Sequence, residues 1–401
     1  MIEEKSLAGR TVLLGVGGGI AVYRVVELAR LLIKQGAKVH VIMTRAAQAF
    51  VSKLTFEVLT GNPVHNDLFA LADGQSMGHI SLIRAADLLL IAPCTENLMA
   101  KLAHGIADDF LTTSFAARQN IPTLIAPAMN PAMWLSPPAQ RNQALLKKDR
   151  IIVIAPEHGD TACGEQGVGR MADPKCLLAM VIAALTPKTL AGQYWVINAG
   201  RTEEPWDAVR VLTNRASGSL GSLMASQAAI MGAKVTLVAG PKTPKSNHAV
   251  TRVDVQTADD MLHACEDAAA HADVFVASAA ISDYRFAQQY KHKLKRQGDE
   301  VLTVSLLPNP DIVAHIAQLK YRPRHVIAFA AESSQHCDYA RIKLEKKGVD
   351  AIIANDVNTM GKDVASGWWL TKTACCVLAK TDKKNFSQHI ISCILELDHH
   401  A

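Results

Sequence analysis

The sequence predicts an α/β protein made of two doubly wound parallel-sheet domains in tandem. Three observations predict it: short β-rich apolar runs ending in small residues, Pro or Asn alternate with helix-like stretches, the scheme restarts after Pro187, and one turn recurs in both halves. A length of 401 residues fits two or three ordinary domains at the usual ~100–200 residues each. With 49% hydrophobic and 20% charged residues, the chain can bury real cores and is not of disordered composition.

In order, TVLLGV (11–16) opens the first half, followed by a helix-like stretch over 20–34 and the run KVHVIMT (38–44). ADLLLIAP (86–93), helix-like stretches over 96–104 and 106–118, IPTLIAP (121–127) and RIIVIAP (150–156) complete it. Runs this continuously apolar suit strands covered on both faces, as in parallel sheets. The second half repeats the plan with YWVINAG (194–200), a helix near 218–231, KVTLVAG (234–240), DVFVASAA (273–280), HVIAFAA (325–331) and DAIIAND (350–356). GAKVHVIMT (36–44) and GAKVTLVAG (232–240) each place a helix-ending Gly before the second strand. The boundary is expected near Thr186-Pro187-Lys188, giving domains 1–187 and 188–401. Only the second copy carries an insertion, RTEEPWDAVRVLTNRAS (201–217), directly after its first strand. That is the carboxyl edge of the sheet, where such folds bind ligands.

Charge excludes one function class. The chain has 42 basic and 37 acidic side chains, and its densest basic run, Lys291 to Arg296, holds no aromatic residue on which a base could stack. A dedicated nucleic-acid binder is therefore not expected, although a local phosphate site is compatible. No apolar run approaches the ~18–20 residues that span a bilayer, and MIEEKSLAGR at the N-terminus lacks a signal-peptide apolar stretch. A cytoplasmic protein without a membrane partner is expected. The eight cysteines show no CxxC and no zinc-finger spacing with His, which suits free thiols in a reducing compartment.

In the first half, the strand at 11–16 runs into Gly17-Gly18-Gly19 and a helix, so backbone N–H groups and a helix start meet where an anion could sit. Ile20 stands where GxGxxG needs its third glycine, and Met43-Thr44-Arg45 lacks the acidic residue that would hold an NAD ribose. A ligand with a terminal phosphate, such as flavin mononucleotide (FMN), fits better than NAD. A tight turn without ligand, or an NADP site using Arg45, stays open on these residues alone. His79 in MGHI, Asn130 in APAMN and Cys163 in ACGEQGVGRM fall in loops at element boundaries. Singly they read as a helix-cap histidine, a turn asparagine and a buried small thiol; together they suggest a base, a carboxylate-binding amide and a thiol acid.

The ordered segments GVGGGIAVYR, MGHI, LLIAPCTENLMAKLAHGIADDFLTT, APAMNPAMW and ACGEQGVGRM cover most of residues 8–180 and resemble the flavin-dependent phosphopantothenoylcysteine decarboxylases of coenzyme A biosynthesis. The resemblance implies a flavodoxin-like protomer in a homo-oligomer with trimeric decarboxylase domains. It also implies FMN at Gly18, Gly19, Thr44, Thr95 and Asn97, with His79, Asn130 and Cys163 catalytic. The chemistry is consistent, because a cysteinyl carboxylate has no electron sink for the carbanion left by CO₂ loss. Oxidation by flavin at the carbon bearing sulfur creates one, in a thioaldehyde β to the carboxylate. His79 would manage proton transfer in that oxidative part, Asn130 would hold the carboxylate, and Cys163 would donate a proton when the enethiol is reduced. A flavin-binding regulatory or scaffold protein is the alternative from another class, and the three residues together argue against it.

The segments AGRTEEPWDAVRVLTNRASGSLG (199–221), SAAISDYR (278–285), KLKR (293–296), NPDIV (309–313), AFAAES (328–333) and KLEKKGVDAIIANDV (343–357) resemble phosphopantothenate–cysteine ligase. That resemblance implies a Rossmann-like domain, dimeric and possible in a dodecamer with the first half, using CTP with magnesium (Mg2+), phosphopantothenate and cysteine. Lys293 would stabilise charge at the reacting phosphate, and Lys343 and Lys347, at i and i+4, can share one helical face. Asp283 would take the magnesium or the nucleotide, Phe329 would pack near the nucleotide, and Pro310, Asp311, Ile312 and Val313 would line its pocket. Asn214 and Arg210 would hold the acyl intermediate. Gly17, Arg24, Arg201, Ser219, Arg296 and Ser333 depart from the residues usual in the two families, several of them near phosphate sites.

Overall fold

A computed structural model describes residues 5–68, 78–160, 164–247, 249–295, 301–332, 336–356, 359 and 362–399. The chain divides into two compact units, Met1–Thr186 and Pro187–Ala401.

The first unit is built on six parallel strands, Thr11–Val16, Lys38–Met43, Val64–His65, Leu88–Cys94, Thr123–Pro127 and Ile152–Val153, in the spatial order 3-2-1-4-5-6. Without the edge strand Val64–His65, this is the flavodoxin-like arrangement, with the order reversing between the first and fourth strands. Alternate residues of the first strand face opposite cores, as the pleat requires. Val12 and Leu14 pack with Leu28, Leu32 and Phe56, while Leu13 packs with Ile91, Leu111 and Phe115. Helix Val22–Lys34 buries Val22, Val25, Leu28, Ala29 and Leu32, a three-to-four spacing that forms one apolar stripe. The run RIIVIAP yields only Ile152–Val153 as strand. The Ile154 N–H still reaches Ile125 O at 2.9 Å, but Pro156 has no N–H to continue a ladder. The chain turns instead into an antiparallel hairpin, Glu157–Asp160 with Gln166–Arg170.

In the second unit an eight-stranded sheet repeats the order 3-2-1-4-5-6 with Thr251–Asp254, Lys234–Ala239, Tyr194–Ala199, Val274–Ala277, His325–Glu332 and Ala351–Asp356, all parallel. Two further strands that the apolar runs did not indicate, Val364–Leu370 and Cys375–Asp382, extend the sheet in antiparallel fashion. Most side chains of the last strand are exposed, so it lacks the continuous apolar run of a covered strand. Helix Lys383–Glu396 returns Phe386, Ile390, Ile391 and Ile394 to the core. The insertion after the first strand folds as a short antiparallel pair, Glu203–Pro205 with Val211–Thr213. Among the described residues, no helix is long and apolar enough to cross a membrane, and Cys94, Cys176, Cys265, Cys375, Cys376 and Cys393 carry thiols rather than disulfides.

Candidate active sites

In the first unit, the glycine loop leads from Val16 into helix Val22–Lys34, which has no side-chain cap and no acidic residue in its first turn. A helix start of this kind favours an anion. The Gly17 N–H donates to Pro93 O at 3.1 Å, and a Cβ on Gly17 would stand 2.4 Å from that oxygen. A side chain at this position would collide with that backbone oxygen. Gly18 lies against Ala46, and Gly19 faces the methyl of Thr95. Thr44, just past the second strand, donates its hydroxyl to Val16 O at 3.3 Å and accepts from the Ala47 N–H at 3.2 Å. Thr95 caps helix Glu96–Ala103 by accepting from the Leu98 N–H at 3.3 Å, and Asn97 is exposed in its first turn. Gly18, Gly19, Thr44, Thr95 and Asn97 therefore lie at the carboxyl ends of the first, second and fourth strands, around the switch point. Beside them, burial pushes the Glu96 carboxyl up, against the pull of the Asn142 hydrogen bond; no local pattern singles out this glutamate.

Asn130 ends the turn after the fifth strand. Its Oδ1 accepts from the Ala132 N–H at 2.7 Å, capping helix Pro131–Leu135, and its Nδ2 donates to Glu165 Oε2 at 2.8 Å. The hairpin that carries Glu165 docks on this turn. The Met129 N–H donates to Gly169 O at 3.0 Å, and a Cβ on Gly169 would sit 2.3 Å from Met129 O. Only glycine allows so close an approach. Cys163 lies outside the described residues, between the two hairpin strands in sequence. His79 is the second residue of helix Gly78–Arg84. Arg24 is buried at 8% exposure, donating to Met171 O at 2.7 Å and to Asp173 at 3.0 Å. It clamps the first helix to the segment following the hairpin.

The second unit contains a cleft of about 550 Å³ at the carboxyl edge of its parallel strands. Asp283, Pro310, Asp311, Ile312, Val313, Phe329, Lys343 and Lys347 all line it. Asp311 caps helix Ile312–Ala317 by accepting from the Ala314 N–H at 3.2 Å, and it pairs with Lys347 at 2.9 Å. Arg215, Ser219, Asn355 and Lys383 also line the cleft, and the sequence motifs assigned no ligand role to them. Among the described residues, no cluster of three or more His, Cys, Asp or Glu could hold a metal. Magnesium bound largely through phosphates needs only one or two carboxylates, and Asp283 is exposed in the cleft.

Lys293, Arg210 and Asn214 are not among the cleft-lining residues. Arg210 donates to Leu294 O at 2.9 Å and lies over the Trp206 ring at 5.0 Å, while Trp206 stacks on Phe286. Asn214 donates to Ala280 O and Ile281 O at 3.1 and 3.0 Å. Both side chains thus hold backbone carbonyls here, tying the insertion to neighbouring segments. Asp207, 5% exposed, accepts from the N–H groups of Val209, Arg210 and Leu294 at 2.8, 2.8 and 3.1 Å. Burial alone would raise its carboxyl, but these donors and the Arg210 charge outweigh it and hold the group below the usual carboxylate range. The exposed Lys293 is therefore next to a backbone gripped from both sides, through Leu294 N–H and C=O.

Two family descriptions match the chain: Flavoprotein over residues 1–186, and DNA/pantothenate metabolism flavoprotein C-terminal domain over residues 190–397. The coenzyme A biosynthesis bifunctional protein CoaBC of Vibrio parahaemolyticus is 41% identical over 359 residues, covering 89% of this chain and 90% of that protein. Its namesake from Escherichia coli is 42% identical over 357 residues, covering 88% and 87%. That of Bacillus subtilis is 38% identical over 359 residues, covering 88% of each. The chain belongs to the family of coenzyme A biosynthesis bifunctional proteins, enzymes that join a phosphopantothenoylcysteine decarboxylase to a phosphopantothenate–cysteine ligase.

Proposed function

We propose that residues 188–401 form a CTP- and magnesium-dependent ligase that joins cysteine to phosphopantothenate, and that residues 1–187 form an FMN-dependent decarboxylase that converts the product to phosphopantetheine, in the cytoplasm. One observation carries most of the ligase reading: Asp283, Pro310 to Val313, Phe329, Lys343 and Lys347, all singled out for a nucleotide, line a single cleft at the edge where doubly wound sheets bind ligands, with Lys293 outside its lining. We read the assembly as a homo-oligomer of trimeric decarboxylase and dimeric ligase domains, compatible with a dodecamer.

In the ligase, a carboxylate oxygen of phosphopantothenate attacks the α-phosphorus of CTP, and the bond to pyrophosphate breaks. The cysteine amine then attacks the acyl carbon, CMP leaves with the bonding pair, and the amine loses a proton. Lys343, Lys347 and Lys293 offset charge on the phosphates, with Asp283 as a magnesium or nucleotide contact. Arg210 and Asn214 belong to the loop that presents the acyl intermediate. Arg210 also positions Lys293 through the Leu294 carbonyl.

In the decarboxylase, Gly18 and Gly19 supply backbone to the FMN phosphate at the start of helix Val22–Lys34, with Thr44, Thr95 and Asn97 around it. The uncapped helix start fits that anion. Bound FMN supplies a two-electron acceptor and donor that a cysteinyl carboxylate lacks. The Asn130 amide orients the substrate carboxylate, His79 takes up a proton during oxidation, and Cys163 returns one to the enethiol carbon. Mass spectrometry of products formed from phosphopantothenate, cysteine, CTP and magnesium tests the whole reading. Phosphopantetheine with stoichiometric CMP and pyrophosphate is expected; unchanged substrates from a yellow, folded protein would overturn it for the ligase half.

A further inference from the structure

We propose that Lys383 is a phosphate-binding residue of the ligase cleft, holding a phosphoryl group against the start of helix Ser219–Ile230. The proposal rests on the ligase reading above and adds a contact from a part of the chain that no motif singles out.

Sheet topology brings the residue there. Val364–Leu370 runs antiparallel to Ala351–Asp356, and Cys375–Asp382 reverses once more. The last strand therefore ends at the same edge as the carboxyl ends of the parallel strands, and helix Lys383–Glu396 begins at the cleft. Lys383 Nζ donates to Ser219 Oγ at 2.8 Å. Gln388 approaches Gln227 further along the same two helices, so they run in the same sense and both starts face the cleft.

An ammonium is poorly placed at the positive end of a helix unless an anion joins it. Here it stands at one such end without a carboxylate, the start of helix Ser219–Ile230, beside the start of its own helix. Helix Ser219–Ile230 begins at Gly218 without a side-chain cap and without an acidic residue in its first turn. The nearest carboxylate in sequence, Asp382, caps the helix that Lys383 opens: it accepts from the Lys384 and Asn385 N–H groups and from the Asn385 amide. Asp363 offers its backbone carbonyl to the Lys383 N–H at 3.2 Å. Among the described residues, no ion pair engages Lys383. The cleft lining carries Arg215, Lys343, Lys347 and Lys383 against Asp283 and Asp311, and Asp311 is already paired with Lys347. A phosphoryl group between Lys383 and Ser219 would accept from the ammonium, the hydroxyl and the helix start together.

Two substrates of the ligase carry phosphoryl groups, the nucleoside triphosphate and phosphopantothenate, and both can present this chemistry. The test uses the full-length protein and its Lys383→Gln and Lys383→Arg variants. Pyrophosphate release is measured with each substrate varied in turn, and inorganic tripolyphosphate and phosphopantothenate are titrated by calorimetry. Lys383→Gln is expected to raise KM for one phosphoryl substrate, and to weaken the matching titration, on the order of tenfold or more, with kcat changed less. Lys383→Arg should recover most of the loss, since charge rather than packing is needed. A shift in KM for CTP assigns the site to the nucleotide; a shift for phosphopantothenate assigns it to the acid. Unchanged KM values and titrations in Lys383→Gln would overturn the proposal. If the wild type releases no pyrophosphate from CTP, the ligase reading fails, and the two titrations still decide Lys383.

Discussion

The side-chain amide of Asn130 donates to the Glu165 carboxylate at 2.8 Å. The group assigned to bind the substrate carboxylate thus already holds one, supplied by the hairpin Glu157–Asp160/Gln166–Arg170 and its connection. A substrate that uses the same donor must displace Glu165.

Glu165→Gln is accordingly expected to lower KM for phosphopantothenoylcysteine several-fold, by roughly the difference between a charged and a neutral acceptor. Asn130→Asp should act in the opposite direction, setting a second carboxylate against Glu165 and against the substrate, with decarboxylation falling by on the order of 100-fold or more. CO₂ release against substrate concentration measures both. An unchanged KM in Glu165→Gln would mean that substrate binds elsewhere on the turn.

Cys163→Ser should retain flavin and still release CO₂, because the proposed role of its thiol is confined to the reductive half. An enethiol product is expected to accumulate, visible by absorbance and mass. Normal product at the wild-type rate would leave Cys163 without a catalytic role.

Lys293→Gln should slow CTP- and cysteine-dependent pyrophosphate release by roughly 100-fold, the scale of losing one preorganised donor at developing charge. Decarboxylation of supplied phosphopantothenoylcysteine should persist, since Lys293 belongs to the second unit. Equal rates of pyrophosphate release in mutant and wild type would return Lys293 to the solvated surface.

Asp207 gives a pH prediction. Its folded-state carboxyl is held below the ordinary carboxylate value, so its contribution is complete above the unfolded value of ~3.9 and is lost as pH falls through the folded one. The insertion should therefore release the Lys293 segment only in acid. Asp207→Asn should flatten the acid limb of the thermal midpoint against pH while lowering stability at neutrality; parallel curves would contradict it.

Arg24 makes a stability prediction. One guanidinium serves both Met171 O and Asp173, a fork that an ammonium cannot reproduce from a shorter reach. Arg24→Lys is expected to destabilise the first unit by on the order of 1–3 kcal/mol, read from urea unfolding followed by flavin fluorescence. An unchanged midpoint would show that the clamp is replaceable.

Parallel strands were legible because burial on both faces leaves continuous apolar runs such as Leu88–Cys94 and Ala351–Asp356. The hairpin around Gln166–Arg170 and the strand Cys375–Asp382 were not, because their side chains are small, polar or exposed. Site residues divide the same way. Gly17 to Gly19 follow from local turn chemistry, whereas Lys343 and Lys347 rest on the resemblance to ligase motifs, helical spacing only allowing them to share a face. Lys383 reaches Ser219, and Glu165 reaches Asn130, through tertiary topology, for which adjacent residues carry no signal. Arg210 was expected at the acyl intermediate; its bond to the Leu294 carbonyl depends on how two loops meet.

The reversal of the last two strands in the second sheet also sets a schedule for synthesis. The glycine loop needs strands that end by Val153, so its surroundings can assemble while the ribosome is still extending the second unit. The ligase cleft takes its walls from Arg215 through to Lys383, and its final wall emerges only after both reversing strands. A nascent chain can therefore complete the surroundings of its glycine loop well before it closes the cleft proposed for the nucleotide.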